Sequence, residues 1–150
     1  MAQTINISYE HYTLDTLPTS DSELVKAAFE ATTQAYAPFS GFKVGAAARL
    51  RSGEIITAAN CESEVFPSGL CAERSLLYHY ATNHADNPIE AMAIASNPSE
   101  RECYPCGACR QVMLDTENRQ QSPIRIIMAG GGTATVVKSA KDLLPFTFRL

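Results

Sequence analysis

The segments Cys71-Ala72-Glu73 and Pro105-Cys106-Gly107-Ala108-Cys109 bring three thiols and one carboxylate together in two short motifs. Each motif begins a stretch with helical periodicity, and the N-terminus of a helix favours the thiolate form of cysteine that binds metal. Cys106 and Cys109 are three residues apart and therefore share one face of a helical turn. Three thiolates leave open one of the four tetrahedral positions of Zn²⁺, as catalytic zinc requires. The motifs therefore predict one Zn²⁺ per chain, held by Cys71, Cys106 and Cys109.

The rest of the chain supplies the elements that carry these motifs. Apolar periodicity and turn residues predict helices over 21–35, 71–83, 106–116 and 140–144, and strands over 42–51, 54–59, 89–96, 124–129 and 133–138. Two successive strand–helix–strand units predict a parallel centre, whereas tight turns make the first and last strand pairs antiparallel. We therefore expect an α/β fold, a three-layer α/β/α sandwich with a mixed sheet of about five strands. Both motif helices then begin at one edge of the sheet, where their cysteines can converge.

Composition narrows the class of protein. The 150 residues are 45% hydrophobic and 19% charged, which is typical of one folded globular domain. We assign residues 1–19 to a polar N-terminal arm and residues 20–150 to a single catalytic domain. No apolar run approaches the roughly 18 residues of a membrane span, and the first residues lack the pattern of an export signal. The net charge of −4 disfavours a nucleic-acid partner.

The five cysteines have spacings that are typical of metal sites rather than disulfides, which favours a reduced, cytoplasmic setting. Each motif, taken alone, is also compatible with other functions. A C-x-x-C pair can be a redox dithiol or half of a structural zinc site, and a glutamate in a first helical turn often only caps the helix dipole. Glu73, however, shares a helical face with Leu76, Leu77 and Tyr80, and a carboxylate aimed at an apolar core is costly unless it is paired or functional. The combination favours a functional site.

The motifs C-A-E-R at 71–74 and P-C-G-A-C-R-Q at 105–111 resemble those of the zinc nucleoside deaminases, specifically the small homotetrameric cytidine deaminases. The resemblance extends to residues 36–47, to Asn60-Cys61-Glu62 and to Leu143-Leu144-Pro145. It covers about 20–150, with these five motifs in the family's order. The resemblance implies hydrolytic deamination of cytidine and 2′-deoxycytidine to the uridines and ammonia, in pyrimidine salvage.

The resemblance also implies a role for each site residue. Cys71, Cys106 and Cys109 hold the Zn²⁺ that activates water, and Glu73 moves protons between that water and the cytosine, as described for zinc deaminases. Backbone N–H groups around Ala72 bind the polar edge of the base. Arg74 offsets the negative charge of the zinc cluster. The remaining assignments are ribose binding by Asn60 and Glu62, a wall of the base pocket by Phe42, and stacking on the base in a neighbouring subunit by Phe148, with Phe146 as the alternative.

One segment departs from the family pattern. Ser63-Glu64-Val65-Phe66-Pro67 follows Asn60-Cys61-Glu62 where the family commonly has a run of small polar residues ending in tyrosine and glycine. This difference leaves open deamination of a cytosine-containing antibiotic of the blasticidin S type. A non-catalytic zinc-binding interaction module is a second alternative, which requires a closed zinc site. A nucleic-acid editor is a third, disfavoured by the negative net charge.

Overall fold

A computed structural model describes residues 1–150 as a mixed six-stranded sheet covered by helices on both faces. The elements are β1 (Glu10–Thr13), α1 (Thr19–Ala31), β2 (Lys43–Leu50), β3 (Ile55–Ala59), α2 (Ala72–Asn83), β4 (Ile89–Asn97), α3 (Gly107–Gln120), β5 (Arg125–Gly130) and β6 (Thr133–Val137). Short 3₁₀ turns cover Leu14–Thr16, Thr32–Gln34, Phe66–Ser68 and Ala140–Leu143. The predicted α/β class and three-layer architecture are confirmed. None of the helices is both long and apolar enough to cross a bilayer.

The strand order is β1-β6-β5-β4-β2-β3, and β4–β5 is the one parallel pair. The sheet therefore has fewer parallel neighbouring strands than predicted. The reason is that β2 lies between β3 and β4 and is antiparallel to both. Two strands that are each antiparallel to a third run in the same direction. β3 and β4 consequently end at one edge of the sheet, and α2 and α3, which follow them, begin there.

The predicted count of about five strands is one too low. The sixth strand, β1, lies inside the segment predicted to be a polar arm and pairs antiparallel with β6, with Glu10 opposite Val136 and Thr13 opposite Thr133. It has only four residues, and its partner is more than 100 residues away along the chain. A short edge strand of this kind has little local signal, because its hydrogen bonds depend on a distant partner.

Side chains alternate between two cores on either side of the sheet. In β4, Met92 and Ile94 face α2 and α3, whereas Ala91, Ala93 and Ala95 face α1. Small residues on the second face allow α1 to approach closely. Gly45 of β2 is the extreme case, since a Cβ at this position would lie 1.9 Å from the carbonyl oxygen of Ala28 in α1. Ser20 and Glu23 form a sequence pattern that predicts a capping box, but α1 begins after Pro18 without a side-chain cap, so that prediction is wrong.

Candidate active site

Three sulfur atoms meet where α2 and α3 begin. The Sγ atoms of Cys71, Cys106 and Cys109 all lie within 4.8 Å of one another, and those of Cys71 and Cys106 are 3.9 Å apart. Two Zn–S bonds of about 2.3 Å at the tetrahedral angle separate their sulfurs by about 3.8 Å. Cys109 is buried, Cys71 is half-buried and Cys106 is exposed. The three residues therefore fit Zn²⁺ and would leave one of its four tetrahedral positions without a cysteine ligand.

Local backbone structure explains this convergence. Cys71 and Cys106 are the N-cap residues of α2 and α3, with extended backbone, and their carbonyls accept the first helical bonds from Ser75 and Arg110. Arg110 also donates from Nε to the carbonyl of Pro105 at 2.8 Å and from Nη1 to that of Leu143 at 3.3 Å. Arg110 thereby connects the second motif to the C-terminal 3₁₀ turn, a role that no sequence pattern indicates.

The sulfur cluster concentrates negative charge. Hydrogen bonds from Cys109, Arg74 and Cys106 outweigh burial and lower the pKa of Cys71 to about 5, whereas the bond to Cys71 and burial raise the pKa of Cys109. Cys71 is therefore the thiol that favours the thiolate form in the metal-free protein. Arg74 Nη2 lies 3.5 Å from Cys71 Sγ, and its Nε is buried with no hydrogen-bond partner.

Glu73 is placed beside these sulfurs, with only 4% of its surface exposed. Burial raises its pKa to about 7, and the negative charge of Cys71 adds to the effect. The side chain of Cys109 hydrogen-bonds to the carboxylate. A carboxyl group with a pKa near neutrality can both accept and return a proton at physiological pH. Ala72, fully buried at the first position of α2, has its backbone N–H among those that the helix leaves unpaired.

Asn60 and Glu62 hold the backbone that faces the cluster. Asn60 accepts from Val44 N at 2.8 Å and donates to the carbonyl of Phe42 at 2.9 Å. Glu62 accepts from the backbone N–H groups of Phe39 and Ser40 at 2.9 and 3.1 Å, and also from the Ser40 hydroxyl. These bonds from Ser40 and Phe39 lower the pKa of Glu62.

Two cavities flank the cluster. Asn60 and Glu62 line one of them together with Cys71 and Arg74. Phe42 lines the other with Ser96, Pro98, Glu100, Arg101, Glu102, Cys103 and Tyr104. Of the residues that line this second cavity, Cys103 is the one whose pKa is raised by the charge of Glu73. Asn60 and Glu62 therefore share a cavity with Cys71, whereas Phe42 lines the neighbouring one.

The profile of the family described as "Cytidine and deoxycytidylate deaminase zinc-binding region" matches residues 18–121, more than half of the chain. The chain belongs to this deaminase family. A cytidine deaminase from Halalkalibacterium halodurans is 39% identical over 92 residues, which cover 61% of this chain and 68% of that protein. A cytidine deaminase from Mycobacterium tuberculosis is 33% identical over 139 residues, covering 89% and 94%.

Solved structures agree with this membership of the deaminase family. The crystal structure of cytidine deaminase from Burkholderia pseudomallei has a TM-score of 0.73 and 35% identity, and the match covers 84% of this chain and 97% of that one. The enzyme from Mycobacterium tuberculosis has a TM-score of 0.69 and 29% identity, with coverage of 89% and 100%. The predicted resemblance to cytidine deaminases is therefore confirmed.

Phe148 is the one predicted site residue that lies away from the zinc cluster of this deaminase chain. It is 72% exposed and lines a cleft with Gln111, Asp115 and Asn118 on the outer surface of α3. Phe146, the alternative, is 91% exposed. Neither aromatic ring of the C-terminal tail lines the two cavities beside the cluster.

Sequence reasoning missed two groups beside this deaminase site. Cys103 contacts Ser96, and burial together with the charge of Glu73 raises the pKa of its thiol to about 11. Glu102 accepts hydrogen bonds from Tyr104 and Thr133 and faces His11. The sequence alone could have flagged Glu102 only as a charged loop residue, since its partners are far apart along the chain.

Proposed function

We propose that this chain catalyses the zinc-dependent hydrolytic deamination of cytidine and 2′-deoxycytidine, giving the uridines and ammonia. The observation that carries the proposal is the pairing of an open three-sulfur cluster with a buried carboxyl group whose pKa is about 7. Relatives named cytidine deaminases support it, and they give no support to an antibiotic deaminase or a non-catalytic zinc module.

Cys71, Cys106 and Cys109 would hold the metal. Bound Zn²⁺ would act as a Lewis acid that makes water nucleophilic near neutral pH. In our proposal Glu73 takes one proton from the attacking water and delivers it to N3 of cytosine. It then transfers the second proton to the departing amine, so that water is consumed and ammonia released. Proton transfer by a positioned group is typically worth about 10²–10⁴ in rate.

The two flanking cavities suit the two parts of a nucleoside. Asn60 Nδ2 retains one N–H and Glu62 Oε2 one lone pair beyond their backbone contacts, so that the two can donate to and accept from one sugar hydroxyl. The base then lies against Phe42, with its polar edge toward the N–H groups around Ala72. Arg74 offsets the charge of three thiolates from the side of the sugar cavity.

We further propose a homotetramer in which Phe148 completes the site of a neighbouring subunit. Its high exposure and its distance from the cluster of its own chain support this assignment. A cytoplasmic role in pyrimidine salvage accords with five free cysteines, three of which must stay reduced to bind metal. The division into an arm over 1–19 and a catalytic domain over 20–150 stays a proposal, with β1 as the part of the arm that joins the sheet.

The decisive experiment is a nucleoside panel followed by ultraviolet absorbance and ammonia release, with zinc measured on the same sample. We expect turnover of cytidine and deoxycytidine. Glu73→Gln should keep its zinc and lose about 10²–10⁴ in kcat, whereas Glu90→Gln, at an exposed position of β4, should be unchanged. An active Glu73→Gln variant would overturn the proton-transfer assignment, and an inactive wild-type protein with full zinc would overturn the activity.

A further inference from the structure

The segment over 98–105 separates the Phe42 cavity from a second cavity at the N-terminal edge of the sheet. This segment joins β4 to α3, and residues Glu100, Arg101, Glu102 and Tyr104 line both cavities. Tyr9 and His11, from the N-terminal part of the chain, line only the second. The segment is therefore a thin wall between the candidate base pocket and the arm.

Backbone contacts fix the base of this wall to the end of β5. Cys103 donates to the carbonyl of Ala129 at 3.1 Å, and Gly131 donates to that of Ser99 at 3.0 Å. Gly130 allows this approach, because a Cβ there would lie 2.0 Å from the carbonyl oxygen of Arg101. These contacts hold the backbone of the segment, but they do not set the orientation of its side chains.

The carboxylate of Glu102 orients side chains of the segment through its hydrogen bonds. Its side chain is only 8% exposed. Thr133 Oγ1 donates to Oε1 at 2.7 Å, Tyr104 donates its hydroxyl to Oε2 at 2.8 Å, and His11 Nε2 lies 3.2 Å from Oε1. Although burial opposes ionisation, hydrogen bonds from Thr135, Thr133 and Tyr104 lower the pKa of Glu102. A buried carboxylate thus joins β1, β6 and the wall.

Tyr104 is the member of this group that can touch a ligand. Its side chain is 57% exposed, so packing alone does not hold it, and its hydroxyl bond to Glu102 is its one side-chain anchor. The residue stands two positions before Cys106 and lines the Phe42 cavity. An exposed tyrosine without such a bond samples several rotamers, and ordering it upon binding weakens affinity.

We propose that Glu102 is a positioning residue, which holds the Tyr104 ring as a preformed wall of the base pocket and connects that wall to the N-terminal strand through His11. The proposal rests on the proposed function, because it places the base in the Phe42 cavity. It also gives β1 a role in substrate binding. Tyr104 is not among the groups around Glu73, so the loss of its anchor should affect KM and leave the chemical step alone.

Kinetics of matched variants test the proposal. Tyr104→Phe and Glu102→Leu should each raise KM for cytidine about three- to tenfold, with kcat within about twofold and zinc content unchanged. The double variant should be no worse than either single one, because both changes remove the same bond. Tyr9→Phe is the control, since it deletes a tyrosine hydroxyl that makes no hydrogen bond in the same outer cavity. Equal KM values for Tyr104→Phe and Tyr9→Phe, or additive effects in the double variant, would overturn the proposal.

A second measurement does not depend on activity. In protein labelled with ¹³C-tyrosine, nuclear magnetic resonance should show one side-chain rotamer for Tyr104 in the wild type and averaging between rotamers in Glu102→Leu, with Tyr9 unchanged. Averaging in the wild type would overturn the positioning role even in an active enzyme. A wild-type protein that turns over no cytidine but keeps an ordered Tyr104 would instead overturn the proposed function and leave the positioning by Glu102 standing.

Discussion

Arg74 donates from Nη2 to the Sγ of Cys71 across 3.5 Å, three residues along the same helix. Bonds to Cys71 and Cys109 raise the pKa of Arg74, so its positive charge is secure. Three thiolates around Zn²⁺ carry a net charge of −1, which opposes the metal's ability to polarise water. Its hydrogen bond to Cys71 therefore places Arg74 where it can offset part of this charge.

Arg74→Gln should consequently weaken zinc binding. Removal of a hydrogen-bond partner of a metal ligand typically costs about 10–100-fold in metal affinity, and here a compensating charge is lost as well. Competition with a chromophoric chelator measures the change. Arg119→Gln, an exposed arginine in the last turn of α3, is the matched control and should bind zinc normally. Wild-type zinc affinity in Arg74→Gln would show that the charge is offset elsewhere.

The raised pKa of Glu73 predicts how the metal-free protein responds to pH. Its pKa is about 7 in the folded chain against an ordinary 4.5, so the folded state binds the proton more tightly than the unfolded state. Stability is therefore lost as pH rises from 4.5 to 7. Glu73→Gln escapes this loss, because an amide does not ionise. Relative to wild type, the variant should gain about 3 kcal/mol between pH 4 and pH 8, as measured by urea denaturation in the presence of a chelator.

Both proteins contain the same cysteines, so titration of the sulfur cluster largely cancels in that comparison. Glu90→Gln, at an exposed position, should show no comparable dependence on pH. A difference between Glu73→Gln and wild type that is the same at pH 4 and pH 8 would mean that Glu73 ionises normally in the folded chain. The desolvation argument for its role in proton transfer would then fail.

The metal site was predictable from sequence because its information is local. Cys71 and Cys106 stand at helix starts that periodicity locates to within one residue, and the spacing of Cys106 and Cys109 alone puts them on one face. Convergence of the two motifs needed only that β3 and β4 run in the same direction. The two strands meet that condition even though β2 lies between them, because each of them is antiparallel to β2.

The missed features depend on partners far apart along the chain. β1 is defined by its register with β6, and the position of β2 between β3 and β4 is a choice of topology that periodicity does not encode. The bonds of Glu102 join residues 11, 102, 104 and 133, so no window of sequence contains them. Side-chain networks of this kind become visible only when the fold has brought their members together.

Gly45→Ala should destabilise the fold strongly. The new methyl group would meet the carbonyl oxygen of Ala28 at 1.9 Å, and both atoms belong to backbone that other bonds hold. Either α1 or β2 must move, and overpacking of this kind costs about 3 kcal/mol. Urea denaturation of the metal-free protein measures the loss. Gly107→Ala is the matched control, because no atom lies within 4 Å of its Cβ position, and it should be neutral.

The ion pair between Arg125 of β5 and Asp21 of α1 should contribute more to the free energy of unfolding than a surface ion pair does. Arg125 Nη2 lies 2.7 Å from Asp21 Oδ2, and the aspartate side chain is only 5% exposed. Arg125→Ala leaves this buried carboxylate unpaired and also frees Glu10 of β1, so we expect a loss of about 3–5 kcal/mol in urea denaturation.

Glu23→Ala provides the comparison, since it removes the 64% exposed partner of Arg49 and should cost no more than about 1 kcal/mol. Adding Asp21→Asn to Arg125→Ala removes the stranded charge and should restore part of the lost stability. If the double variant were instead less stable than Arg125→Ala alone, the damage would come from lost packing of the arginine stem, and the buried charge of Asp21 would not be its cause.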